Sequence, residues 1–251
     1  MRDVNVPKFL KDDLPLFENI MLDLFPGITK PEANYGGLFK SLNHSCEHCN
    51  VQPAEIFITK IIQLYDTIQV RHGLMLVGPT GGGKTMNYRV LQHAMSALAG
   101  QDAFTKVHVD CLNPKSITMD QMYGFVDPQT TEWQDGVLAK LVIECTKDSS
   151  ADLHWVYFDG PVDALWIENM NTVLDDNKKL CLNSGQIITL TSRMTMMFEV
   201  EDLSVASPAT VSRCGMVYME PGSLTLAPLV KSWINSVPPR IRETKSMTEK
   251  L

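Results

Sequence analysis

Gly78-Pro79-Thr80-Gly81-Gly82-Gly83-Lys84-Thr85 is the stretch on which the reading of this 251-residue chain turns. It fits G-x-x-x-x-G-K-[ST] at every fixed position. The apolar run Leu74-Met75-Leu76-Val77 precedes it, with the length of a buried strand. A helical pattern from about Lys84 to Leu98 follows, its inner stripe being Leu91, Ala94, Met95 and Leu98, and Gly100 ends it. Backbone N–H groups can close around phosphate oxygens only where φ is positive and no Cβ intrudes, and glycines at 81, 82 and 83 meet both needs. The helix behind them points its partly positive N-terminus at the anion. Lys84 adds a point charge for the terminal phosphates and Thr85 a hydroxyl for Mg²⁺. A glycine-rich turn that binds nothing is the bland alternative. Eight motif residues between a strand and a helix weigh against it, and nucleotide binding is predicted.

Working outward, Lys106 to Asp110 alternates as a strand, Trp155 to Asp159 reads as another, and Met216 to Tyr218 as the last. Ile187 to Leu190 and Met194 to Phe198 read as a hairpin or as two adjacent strands. Helices are expected over Gln134–Cys145, Asp163–Lys179 and Leu224–Val237. Upstream, Leu14 to Leu24 is amphipathic and stops at Phe25-Pro26-Gly27, and a Gly/Asn/His/Cys-rich loop is expected from Gly36 to Asn50. Ile58, Ile61, Ile62, Tyr65 and Ile68 then mark one helix face, with Pro53 near its start. Strands separated by helices argue for a parallel sheet covered on both faces. The expected division is a connecting segment over 1–50, an α/β domain over 51–223, a terminal helix over 224–237 and a disordered polar tail over 238–251.

Composition narrows the function classes. Hydrophobic residues make up 44% and charged residues 20%, enough for a sizeable core. No uncharged apolar run approaches the roughly 20 residues that a helical membrane crossing takes, so no membrane partner is expected. The net charge is 22 − 29 = −7, which makes nucleic acid a poor default partner. Arg2, Asp3, Lys8 and Lys11 interrupt any apolar opening stretch, and the six cysteines are scattered. A reducing intracellular compartment with free thiols is expected. Only Cys46 and Cys49, beside His44 and His48, have metal-ligand spacing, and one such pair is weak support for zinc.

A phosphate loop of this kind needs a carboxylate at the tip of a neighbouring strand to hold Mg²⁺ through its water shell, and Asp159 stands there. The next position in most hydrolysing proteins of this arrangement is a glutamate that activates water; here it is Gly160, followed by Pro161. Losing a positioned base costs about 10²–10⁴-fold, or roughly 3–5 kcal/mol of barrier. Asp163 is a possible substitute base, with capping of the following helix as its alternative role. The prediction is a site that grips nucleotide and turns it over slowly or not at all. Arg213 ends a short polar turn or helix, Ser207 to Arg213, before the last strand. There an arginine either reaches a neighbour's γ-phosphate in a ring ATPase or is simply solvated.

The run from Phe158 to Leu180 (Phe158-Asp159-Gly160-Pro161-Val162-Asp163-Ala164-Leu165-Trp166 and onward) resembles dynein heavy chains, as does Val205 to Met216. With Gly78–Thr85 and Leu112–Met119, these strings resemble the second AAA+ module of an axonemal dynein heavy chain, over about residues 2–237. The resemblance implies a P-loop NTPase fold, the AAA+ large α/β lobe with strand order 5-1-4-3-2. It implies a ring of six modules in which the first hydrolyses ATP and the second holds ATP or ADP with Mg²⁺ and little turnover. On that mapping Arg213 matches the finger serving the first module's site, and Phe25-Pro26-Gly27-Ile28 the adenine-contacting loop, with Pro26 and Ile28 as contacts. Implied partners are neighbouring modules, dynein intermediate and light chains, and microtubules through the parent motor. The implied location is the cytoplasmic cytoskeleton and the ciliary axoneme.

The chain also departs from that pattern. It stops after Ser232-Trp233-Ile234-Asn235, where the small helical lobe with its second sensor residue begins, so a truncated product unable to act as a motor alone is expected. Glu199, Val200 and Glu201 occupy the region of the sensor asparagine of hydrolysing modules. Two other functions compete with a nucleotide-holding module. One is an active ATPase using Asp163. The other is a small-molecule kinase, which needs an arginine-rich lid, whereas Arg71, Arg89, Arg193, Arg213, Arg240 and Arg242 are scattered.

Overall fold

The structure, a computed structural model, describes residues 5–9, 11–27, 35–101, 103–161, 163–204, 206–220, 222 and 224–238. In chain order the elements are α1 (Leu14–Leu24), α2 (Leu38–His48), α3 (Glu55–Val70), β1 (Gly73–Val77), α4 (Lys84–Ala97), β2 (Val107–Leu112), α5 (Met119–Tyr123), β3 (Gly124–Val126), β4 (Trp133–Asp135), α6 (Val137–Lys147) and β5 (Leu153–Asp159). They continue with α7 (Ala164–Glu168), α8 (Asn171–Leu174), β6 (Lys179–Cys181), β7 (Ile187–Thr189), β8 (Met194–Val200), α9 (Pro208–Arg213), β9 (Gly215–Tyr218) and α10 (Leu226–Ser236).

Five strands form one parallel sheet in the order β2-β5-β8-β1-β9. Counted in chain order and read from the β9 edge, that is 5-1-4-3-2, the order the resemblance implies. The central strands are apolar on both faces because both are covered. Leu74 and Leu76 of β1, with Trp155 and Tyr157 of β5, pack beneath α2, α3 and α4. Met75, Val77, Val156 and Phe158 face the opposite way, toward α6, α7 and α8. Alternation along the central strands thus feeds two cores.

Several elements differ from their expected form. The polar stretch at 36–50 is mostly helix: α2 buries Leu38, Leu42, Ser45 and Cys46 on one face, packed on α4. Its inner residues recur at three- and four-residue steps, a period that its Asn, His and Cys content obscured. The buried core therefore reaches upstream of residue 51. In α3 the fully buried residues are Phe57, Ile61, Ile62, Leu64 and Thr67, while Ile58, Tyr65 and Ile68 are only partly covered. The expected helix over 134–145 begins later, at Val137, because Trp133–Asp135 pairs with Gly124–Val126 as a small antiparallel sheet.

Helix 163–179 is likewise broken into α7 and α8. A turn at Lys178, whose φ is +49°, leads into β6, which pairs antiparallel with β7. β7 and β8 are therefore not a hairpin with each other. Met194–Val200, almost wholly buried, inserts between β5 and β1, whereas Ile187–Thr189 is exposed, buried, exposed and lies on a two-stranded ribbon. The two short ribbons form with segments nearby in sequence, whereas β8 takes its place from distant partners, and in each case the pairing outweighs the local pattern. Residues 239–251, most of the expected tail, lie outside the described residues.

Candidate functional site

The loop at 78–85 leaves the end of β1 and opens α4. Gly81 (φ +81°) and Gly83 (φ +84°) are left-handed, the conformation that turns successive N–H groups inward and that side-chain-bearing residues resist. Gly83 is the N-cap of α4, and its carbonyl accepts the first intrahelical bond from Asn87 (2.9 Å). A turn from the Gly82 N–H to the Pro79 carbonyl (3.1 Å) closes the loop, and Thr80 and Gly81 stand exposed at its tip.

Lys84 is almost wholly buried at 6% exposure, and its ammonium donates to the carbonyls of Gly78 (2.7 Å) and Pro79 (2.9 Å). A buried cation needs such partners, and here they hold it across the loop mouth. The Thr85 hydroxyl donates to Glu199 Oε2 (2.9 Å), and Glu199 Oε1 lies 3.8 Å from Lys84 Nζ. The Tyr157 phenol also donates to Glu199. Burial first, then the Glu199 carboxylate, raises the Tyr157 hydroxyl pKa far above the ordinary phenol range, so it acts as a donor throughout the neutral range. Tyr157 in turn lies against the ring of Tyr88 on α4 (centroids 3.9 Å apart). Glu199 is thus the centre of a small polar cluster between strand ends and helix. It is the site residue that sequence reasoning passed over; its nearest signal was that it stands in the region of the sensor asparagine.

Asp159 ends β5 exposed to solvent and is in register with Glu199 on β8. Partners in a parallel ladder project to the same face, so both carboxylates are directed toward the α4 side. Its charge is felt by Cys111 at the end of β2, whose thiol pKa is raised by burial and then by Asp159. Thr85, Asp159 and Glu199 together are a set of hard oxygen donors. That chemistry fits Mg²⁺, which retains water and binds few carboxylates directly.

Gly160 is pressed against the loop after β2. A Cβ there would lie 3.1 Å from Asn113 Oδ1 and 3.4 Å from Pro114 Cδ. The position therefore lacks both a base and ready room for one. Asp163 accepts an ion-paired hydrogen bond from Lys115 (3.2 Å), with both side chains well exposed. Its carbonyl accepts from the Ile167 N–H (3.2 Å) as α7 begins.

Arg213 is the last residue of α9, a helix opened by Ser207, whose hydroxyl accepts from Thr210 N (3.3 Å). Its guanidinium is paired with Asp175 and donates to the Ala209 carbonyl (3.1 Å). Thr210 Oγ1 donates to Asn171 (3.0 Å), so α9 is tied to α8 and to Asp175 directly after it. Pro26 is exposed in the turn after α1, and Ile28 lies outside the described residues.

Cys46 is buried in α2, and burial, with the charges of Cys49 and Glu47, pushes its thiol up to about 11. Among the described residues, the three-donor cluster lies elsewhere: Asp110, Cys145 and His154 bring ligand atoms within 4.8 Å of one another. His154 Nε2 pairs with Asp148 (2.8 Å), and its ring stacks on His108, which pairs with Asp152 (2.8 Å). This is a polar network that fastens the start of β5.

Two family models match the chain: residues 1–85 match the "Hydrolytic ATP binding site of dynein motor region" and residues 73–214 the "AAA domain (dynein-related subfamily)". Dynein axonemal heavy chain 1 of Homo sapiens is 56% identical over 247 residues, covering 96% of this chain and 6% of that protein. The Mus musculus protein of the same name is 57% identical over the same shares. Dynein axonemal heavy chain 6 of Homo sapiens is 50% identical, covering 97% of this chain and 6% of its own length. The chain spans about 6% of the length of these curated relatives.

Proposed function

Because the chain belongs to the axonemal dynein heavy-chain family and carries its AAA+ P-loop α/β fold, we propose that it is an ATP-binding module that holds Mg-ATP or Mg-ADP with little or no hydrolysis. One observation carries this reading: a phosphate loop with its left-handed glycines, Lys84 and Thr85 in place faces a strand end where Gly160, packed on Asn113 and Pro114, stands in the position of the base. Gly78 to Thr85 would cradle the phosphates, Thr85 and Asp159 would hold Mg²⁺ directly or through water, and Pro26 and Ile28 would border the adenine. The bound ion supplies charge neutralisation at the terminal phosphates.

In the parent motor this module takes the second ring position, between neighbouring AAA+ modules, with its α/β domain at 51–223 and α10 leading toward a small lobe. Arg213, parked on Asp175, reaches the adjoining site as a trans finger once the neighbour is in place. Intermediate and light chains, microtubules and the ciliary axoneme are the partners and setting of that assembly. The second reading, a slow ATPase using Asp163, draws on one feature: its carboxylate is accessible beside Lys115. Titration calorimetry with ATP and ADP in Mg²⁺, followed by a phosphate-release assay, tests both. Binding without turnover is expected. Turnover near 1 s⁻¹, about the low end for ordinary enzymes, that vanishes in Asp163→Ala would replace the first reading with the second.

A further inference from the structure

Glu199 sits where three strands and the phosphate-loop helix meet: it is in register with Asp159 on one side and with Leu76 of β1 on the other. Its side chain is 15% exposed. It accepts from Thr85 and from Tyr157 and lies 3.8 Å from the Lys84 ammonium. Thr85 and Lys84 are the groups that Mg²⁺ and the terminal phosphates require. A carboxylate on both therefore has two effects. It sets the loop's key side chains in position, with Tyr157 fixing the carboxylate from behind. It also places a negative charge against the very oxygens that a triphosphate would bring, in a partly desolvated pocket where charges act strongly on one another.

From this arrangement we infer that Glu199 makes nucleotide binding conditional on magnesium. The inference rests on the nucleotide reading above and adds a specific control to it. A metal-free triphosphate meets Glu199 and Asp159 as two like charges and finds Lys84 already shared with Glu199 and the loop carbonyls. With Mg²⁺ the sign of the local field changes, and both carboxylates become acceptors for the ion's water ligands. Glu199 is a positioning residue here: it acts on Thr85, Lys84 and the ion's hydration, not on the reacting atoms.

The test is the ratio of ATP dissociation constants in EDTA and in excess Mg²⁺, measured by calorimetry or by anisotropy of a fluorescent ATP. For the unaltered chain a ratio of about a hundredfold or more is expected, given two carboxylates at the phosphate end. Glu199→Gln keeps the shape and the hydrogen-bond acceptor for Thr85 and Tyr157 but removes the charge. It should reduce the ratio by about tenfold or more, chiefly by tightening binding in EDTA.

A parent ratio below about tenfold overturns the inference whether or not any variant folds. An unchanged ratio in a folded Glu199→Gln overturns it too, while Mg-ATP binding by the parent leaves the nucleotide reading intact. Failure of the parent to bind ATP in either buffer overturns both.

Discussion

The two ends of β5 carry similar chemistry arranged to opposite purposes. At its start, His154 is buried and pairs with Asp148, His108 pairs with Asp152, and Arg193 donates to the Asp148 carbonyl (2.8 Å). These groups are directed at one another, and the network holds the strand's entry in place. At its end, five residues on, Asp159 is exposed beside its ladder partner Glu199, and Glu199 is linked to Thr85 and Lys84 through contacts that a phosphate and its metal could take over. Pairing within the protein makes a group structural; pairing that an incoming ligand can replace makes it a site. The type of residue does not distinguish the two ends, since both have acids and a cation. What differs is whether the geometry leaves an approach from solvent beside a preformed set of N–H donors.

The sharpest way to break this contrast is Lys84→Ala. It should weaken Mg-ATP binding by about a hundredfold or more, since a charge-assisted contact to phosphate is lost. Melting in ATP should fall far more than melting in buffer. Equal melting shifts in the two conditions would mean that the β1–α4 loop, too, is merely structural. At the opposite end, His154→Ala should cost about 1 kcal/mol of stability by denaturant titration, because a buried ring and its hydrogen bond to the partly exposed Asp148 are lost. The ATP dissociation constant of that variant should stay where it was, and a tenfold change in it would join the two ends into one site.

The acid limb of stability sharpens the comparison further. The Asp148 carboxyl is held down from 3.8 to about 2, first by hydrogen bonds from the Ser150 backbone and hydroxyl and then by His154. A carboxyl depressed in the folded state binds fewer protons there than when unfolded. Its contribution is complete above 3.8 and is lost as pH falls toward about 2. Asp148→Asn should therefore flatten the fall in melting temperature across that window, and an identical acid limb in parent and variant would refute the assignment. The smallest effect is expected at Gly160. Gly160→Ala asks Asn113 and Pro114 to yield by a few tenths of an ångström and should cost under about 1 kcal/mol. Gly160→Glu should still not raise phosphate release, since the loop after β2 crowds the position; rapid turnover in that variant would show that the missing side chain is the sole defect.

Much of this was legible before any fold was drawn. The loop Gly78 to Thr85 is eight consecutive residues whose chemistry depends on their own backbone conformation, and Asp159 is marked by the apolar run it terminates. Gly160 declares its missing base by identity alone. Other features were hidden because their partners lie far away in the chain. Glu199 meets Thr85 across 114 positions and Tyr157 across 42. Helix α2 was concealed because its buried Ser45 and Cys46 look like loop residues until α4 covers them. The first residues of the helix expected over 134–145 and the last of the one expected over 163–179 are strand instead, because short segments take their form from what they pair with.

The sequence by itself determined a glycine-rich loop with Lys84 and Thr85 at one strand–helix junction, an acid at the end of another strand, and a glycine directly after that acid. These are properties of contiguous residues, where spacing and side-chain type suffice. Only the tertiary structure decided that Glu199 faces Lys84 and Thr85, that Arg213 rests on Asp175, and that His154 and Asp148 secure the far rim. A parallel sheet sets neighbours from distant stretches side by side, and charge–charge energies depend on those distances through space, which the order of residues along the chain does not contain.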